Sequence, residues 1–165
     1  EGNPGRAFGT IAQTKNRLPA GAHNIHSWTI FNTIQSFVTR NNVTQDVLQT
    51  TGNGLEVNFK QHPNELFTGE TSQFQLTLNN QPLTPKHQKE MGASHSAIKV
   101  TRHNTRYRNA RKSLTPTLNT QGVFTVQWPA PGLYLIEAEV MLPAKKGSEN
   151  TLVYALYLTL DVYPE

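Results

Sequence analysis

The chain has 165 residues and no cysteine, which excludes disulfides and thiolate metal sites, and no apolar run reaches the ~18 residues of a membrane span. A chain of this length can bury about 70% of its unfolded surface, so we expect one domain that needs no covalent cross-link. The net charge of +4 is uneven, because residues 86–112 hold eight cations against one carboxylate, +7, and leave −3 for the rest.

The N-terminal segment, residues 1–27, is rich in Gly, Pro and Asn and is predicted to be irregular. The chain starts with Glu1 and not with Met, so we interpret it as a mature or trimmed product, and residues 1–27 as a linker or the remnant of a missing domain. Residues 28–165 then form the folded domain. Its first strand is predicted over 28–39, and a turn at 51–54 leads into a strand over 55–59.

The middle of the chain contains one clean strand and one long unpatterned segment. Alternating apolar and polar residues predict a strand over 71–79. Residues 84–96 show no core pattern and are predicted to form a long surface loop with a function of its own or with disorder. Short strands are predicted around Ile98 and over 114–118, and a proline confines the second of these to a sheet edge.

The clearest pattern lies in residues 121–140, QGVFTVQWPAPGLYLIEAEV. Two alternating runs flank Pro131-Gly132, which suits the centre of a type II turn. Tyr134 is placed to form the tyrosine corner of an immunoglobulin-like sandwich, with Ile136 entering the core, and a plain hairpin is the alternative. A last strand is predicted over 151–162. We therefore predict an all-β, immunoglobulin-like Greek-key sandwich of about seven to eight strands.

Histidines supply the first candidate site, because neutral imidazole is a common ligand of nickel, copper, zinc and cobalt. The candidate metal ligands are His62, His87, His95 and His103. A second pair, His23 and His26, could chelate if the segment between them bends. The spacing matches no defined metal motif, so solvated surface histidines are the alternative. The cofactor is left unknown, with a divalent transition metal as the candidate.

The basic segment supplies the second candidate site. The candidate partner-binding residues are Arg102, Arg106, Tyr107, Arg108 and Arg111. Cations mixed with an aromatic ring are typical of single-stranded nucleic-acid sites, but the other strands lack an aromatic stacking platform, so we do not expect nucleic acid as the partner. A solvated basic hairpin, or a patch for an acidic partner or anionic lipid, is the alternative.

Catalytic motifs are missing from the sequence. The chain has two aspartates, Asp46 and Asp161, and contains no nucleophile elbow, zinc-protease motif or phosphate-cradling glycine loop. We therefore predict a non-enzymatic domain without catalytic residues.

Five blocks together resemble a known family: 36–39 (SFVT), 54–57 (GLEV), 62–70 (HPNELFTGE), 105–110 (TRYRNA) and 122–139. In this order they are similar to bacterial exported proteins of largely uncharacterised function, often labelled periplasmic components of nickel or cobalt uptake. The resemblance extends over nearly the whole chain.

The resemblance implies a periplasmic location and a pair of β-sandwich domains, of which this chain would be the C-terminal one. The implied partners are the missing N-terminal β domain and an envelope transport component. Residues 84–96 look inserted relative to the family, so His87 and His95 inherit no role, and His62 lies in a matching block that carries no ligand role. Two functions follow: a non-enzymatic periplasmic domain accessory to transition-metal uptake or binding, or a structural or adhesive module that binds a protein or glycan without metal.

Overall fold

The computed structural model describes residues 7–23, 25–39, 41–103, 113–145 and 149–165. In this part of the chain nine strands form two sheets. The first sheet has the order β1-β9-β8-β5-β6, and the second is built from β2, β3, β4 and β7, with β3 paired to each of the other three. The strands are β1 (Ser27–Ser36), β2 (Leu55–Phe59), β3 (Thr71–Leu78), β4 (Gln81–Pro82), β5 (His95–Arg102), β6 (Ser113–Leu114), β7 (Val123–Gln127), β8 (Gly132–Leu142) and β9 (Asn150–Val162).

The topology confirms the predicted immunoglobulin-like sandwich. The chain passes from β3 in the second sheet to β5 in the first, returns for β7, and crosses again to β8, which is the Greek-key pattern. Strands β5, β8 and β9 are antiparallel neighbours, whereas β1 runs parallel to β9 at the edge of the first sheet. The nine observed strands exceed the predicted seven to eight because they include two strands, β4 and β6, that are only two residues long.

A single core lies between the two sheets. Its side chains come from the inward positions of β2, β3 and β7 on one side and of β5, β8 and β9 on the other. The largest fully buried side chains include Trp128, Tyr134, Phe74, Phe124 and Ile136. The alternation that predicted these strands therefore marks the residues that face the opposite sheet.

The tyrosine corner is confirmed, and the plain hairpin is wrong. Tyr134 is 2% exposed, and its hydroxyl donates a 2.7 Å hydrogen bond to the Ala130 carbonyl, four residues earlier. Ile136 follows in the core and is fully buried. The ring of Tyr134 contacts Trp128 edge-on, with centroids 4.9 Å apart. These contacts fix the 129–132 turn to the start of β8.

Alkaline titration of Tyr134 is expected to destabilise the fold. Burial raises the pKa of Tyr134 above 10.0, against the smaller lowering effects of Arg102 and of the hydrogen bond to Ala130. Since the phenol is harder to ionise when folded, its contribution to stability is complete below pH ~10 and is lost as pH rises through the folded pKa. The Tyr134→Phe variant should lose about 1 kcal/mol at neutral pH and show a weaker fall in stability above pH ~10. Urea unfolding at several pH values measures both effects; equal slopes would contradict the prediction.

Residues 84–96 are the main error in the predicted secondary structure. They contain a helix, α2 (Pro85–Met91), and the start of β5, so the predicted loop is wrong. Thr84 caps the helix by accepting a hydrogen bond from the His87 N–H, and Gly92 ends it at φ 71°. The helix buries no residue, which explains why the sequence shows no apolar periodicity there.

Smaller differences concern the ends of elements. The N-terminal segment contains a helix, α1 (Ile11–Lys15), with a Thr10–Gln13 capping box, where only irregular chain was predicted. The first strand ends at Ser36 and not at residue 39, and the strand predicted over 114–118 is reduced to β6. A short 3-10 helix also forms at Asp46–Leu48. No helix in the described residues is long and apolar enough to cross a membrane.

Candidate binding surface at the edge of the first sheet

His62 is buried inside the fold, where both ring nitrogens have hydrogen-bond partners. It is 5% exposed; Nδ1 accepts from the Asn64 N–H at 3.1 Å, and Nε2 lies 3.2 Å from the Thr44 carbonyl. A backbone N–H can only donate, so Nδ1 is the acceptor and Nε2 carries the proton. The ring therefore ties two loops together, and a metal could bind it only by displacing one of these bonds.

The other predicted ligands do not gather around His62 or around one another. His95 begins β5 and His103 follows its end, so eight residues of strand separate them by about 26 Å. His87 lies on α2 with Nδ1 3.0 Å from the Pro82 carbonyl. Nowhere in the described ranges do three or more His, Asp or Glu side chains lie together as a metal site would require. Metal binding by single histidines stays a prediction.

Arg102 has a structural partner. It lies opposite Tyr134 in the β5–β8 register, and its Nε and Nη2 donate to the Pro131 carbonyl at 2.9 and 2.5 Å. The Tyr134 hydroxyl and the Arg102 guanidinium thus hold successive carbonyls of the same turn. The other candidate partner-binding residues, Arg106, Tyr107, Arg108 and Arg111, lie outside the described residues.

Strand β1 carries an exposed apolar feature that the sequence analysis did not single out. Trp28, Ile30 and Ile34 project from the outer face of β1 and are 63%, 54% and 78% exposed. We call these three side chains the β1 stripe. On the opposite face of the strand, Phe31 is 45% exposed and stacks on the partly buried Tyr154, with ring centroids 4.9 Å apart. The stripe is exposed because it lies on the face of the sheet that points away from the core and is flanked by a strand, β9, on one side only.

Several features that usually protect a sheet edge are missing from the β1 strand itself. Its sequence, SWTIFNTIQS, contains no charged residue and no proline, and it pairs with β9 over ten consecutive residues without a bulge. Natural edge strands are usually short, charged or interrupted, because a long apolar edge invites another strand to pair with it. The uncharged composition was the signal in the sequence that could have identified this surface.

A cleft of about 530 Å³ continues the surface beyond the end of β1. Its wall combines the exposed side chains of Ile34, Val38 and Val47 with the buried ring of His62. Gln35 also lines it, and among the described residues its buried Oε1 has no hydrogen-bond partner. The rest of the cleft is lined by polar side chains, among them Ser36, Thr39 and Asn42. The cleft therefore combines apolar and polar groups with an available acceptor, which suits a ligand segment that carries both.

Comparison with known proteins identifies a family but no individual relative. No curated protein and no solved structure matches the chain significantly. Residues 2–142 match the family model described as Domain of unknown function (DUF4198), which is most of the chain. The chain therefore belongs to the DUF4198 family.

Proposed function

We propose that this chain is a non-enzymatic β-sandwich module that binds a protein partner through the β1 stripe and the adjoining cleft. The observation that carries the proposal is the exposure of Trp28, Ile30 and Ile34 on one uncharged edge strand. Contiguous exposed apolar surface on a folded domain marks an interaction site more often than scattered single residues do. This develops the structural or adhesive alternative that the sequence left open.

A protein suits this surface better than a glycan. The stripe has two branched aliphatic side chains and one indole, and an apolar peptide segment covers such groups without leaving its own polar atoms unpaired. An extended segment can in addition pair with the strand edge, so that main-chain bonds supply affinity and alternate side chains supply specificity. A glycan brings many hydroxyl groups that need polar partners, and between Trp28 and Ile34 the outer face of β1 offers one amide, that of Asn32.

Selection from an unbiased peptide library, beside a glycan array, tests the proposal. We expect extended peptides with alternating apolar residues to be enriched, and the Ile30→Lys/Ile34→Lys variant to weaken their binding at least about tenfold. The matched control is Leu133→Lys, another exposed aliphatic residue, on β8. Enrichment of glycans alone, or peptide binding that survives the lysines on β1, would reject the proposal.

A role in the bacterial periplasm, accessory to nickel or cobalt uptake, is the second candidate function. It is supported by the sequence resemblance and by the histidine content, and the N-terminal β domain and the envelope transport component are the partners it proposes. Calorimetric titration of the untagged chain with nickel tests it. A stoichiometric complex that imidazole displaces supports the role, and the absence of heat and of bound metal rejects binding by this chain.

A further inference from the structure

The hydrogen-bond pattern of β1 shows which backbone groups face away from the sheet. The Ser27 N–H donates to the Glu149 carbonyl at 3.0 Å, while Ser27 is aligned with Asn150. In a parallel ladder alternate residues direct both N–H and C=O toward the neighbouring strand. Odd-numbered residues of β1 therefore bond to β9. The even-numbered residues, Trp28, Ile30, Asn32, Ile34 and Ser36, present theirs at the open edge.

The sequence of these even-numbered residues is nearly symmetric about Asn32. Ile30 lies two positions before Asn32, and Ile34 lies two positions after it. When two antiparallel copies of β1 pair with Asn32 opposite Asn32, each Ile30 is opposite the other copy's Ile34. Residues directly opposite in an antiparallel pair project to the same face and contact each other, so the exposed aliphatic side chains would cover one another.

The chemistry of the strand also fits self-pairing. An isologous interface places the same surface on both partners, so any charged group near the twofold axis lies close to an identical charge. β1 contains no charged residue, and its central side chain is an amide, which can both donate to and accept from an identical amide. The open edge, the aliphatic pairs and the central amide all select the same register.

We propose that β1 pairs antiparallel with β1 of a second copy of this chain, about a twofold axis through Asn32, and joins the two five-stranded sheets into one. The inference rests on the proposed use of the β1 edge for protein binding and specifies the partner. All even-numbered residues from 28 to 36 then form main-chain hydrogen bonds across the axis. The outer faces of both sheets become one continuous surface.

A charge-swap experiment at position 32 tests the register and the partner together. The Asn32→Asp and Asn32→Lys variants each place like charges opposite each other across the axis, which destabilises a strand pair. We expect a dimer of the unaltered chain in sedimentation velocity between about 1 μM and 1 mM. Each variant alone should raise the dissociation constant at least about tenfold, and an equimolar mixture of the two should restore a 1:1 dimer.

The control substitutions are Gln73→Glu and Gln73→Lys, at an exposed residue of β3, and they should leave the dimer unchanged. Circular dichroism of each variant at low concentration verifies the fold of the monomer.

The inference is overturned if the chain stays monomeric at every concentration, or if it forms a dimer whose dissociation constant is unchanged by both substitutions at Asn32. Peptide binding sensitive to Ile30 and Ile34 in a monomeric chain would leave the proposed function standing without the dimer. Conversely, if the two charged variants form a mixed dimer but the library selects no peptide, the dimer is supported and the peptide-binding function is rejected.

Discussion

Replacing Trp128 with alanine is expected to lower the free energy of unfolding by about 3–5 kcal/mol, the largest loss predicted for any single residue here. The indole is fully buried, and its Nε1 donates a 2.8 Å hydrogen bond to the Ser72 hydroxyl. It contacts Tyr134 edge-on on one side and Phe74 on the other, with centroids 4.9 and 6.2 Å apart. Removing it opens a cavity between the two sheets, which their hydrogen-bonded strands prevent from collapsing.

The chain provides its own matched control in Trp28. The same substitution there removes an indole that is 63% exposed, so we expect a change within about 0.5 kcal/mol when the chain is monomeric. Urea unfolding should be followed by circular dichroism, because each variant removes one of the two tryptophans that would report unfolding by fluorescence. Similar midpoints for the Trp28→Ala and Trp128→Ala variants would show that Trp128 is not a core residue.

The predictions that succeeded depend on short-range patterns with a direct physical cause. Inward residues such as Phe74, Val126 and Leu158 recur at every second position, and all are at most 2% exposed. A strand with one face on the core has to alternate in this way, so the pattern identifies the strand and its buried face together. The tyrosine corner was predictable for the same reason, because Tyr134 and its acceptor are four residues apart.

The failures concern properties that depend on the rest of the fold. Helix α2 has no fully buried residue and packs only Met91 against the core, so its caps at Thr84 and Gly92 mark it and an apolar pattern cannot reveal it. The exposure of β1 depends on the sheet order, which pairs Ser27 with Asn150 across most of the chain. A strand rich in Ile and Phe reads as a core strand until its neighbours are known.

The candidate sites differ in the same way. His62 was selected for its imidazole, but burial and two backbone partners assign its ring to the fold. The large distance between His95 and His103 could not be predicted, because the sequence does not show that a continuous strand connects them. The proposed binding surface was missed because apolar residues suggest a core, and the sequence does not show that Ile30 and Ile34 are exposed.

Replacing Glu56 with glutamine is expected to cost about 2 kcal/mol of unfolding free energy. Glu56 is 2% exposed on β2, and its carboxylate accepts three hydrogen bonds from the 51–54 turn. Oε1 accepts from the N–H and the hydroxyl of Thr51, each at 2.8 Å, and Oε2 accepts from the Gly52 N–H at 2.9 Å. An amide has the same shape but turns an NH₂ group toward one of these donors.

The loss should therefore have a local signature as well as a global one. The donor left without an acceptor belongs to Thr51 or Gly52, so hydrogen exchange at these two amides should accelerate more than at β3 or β8. The control is Glu70→Gln, at an exposed carboxylate, which should leave the unfolding free energy within about 0.5 kcal/mol. Equal urea midpoints for the two variants, with unchanged exchange at Gly52, would refute a carboxylate that holds the turn. A loss confined to Glu56 would show that the buried charge, and not the shape of the side chain, fixes the entry to β2.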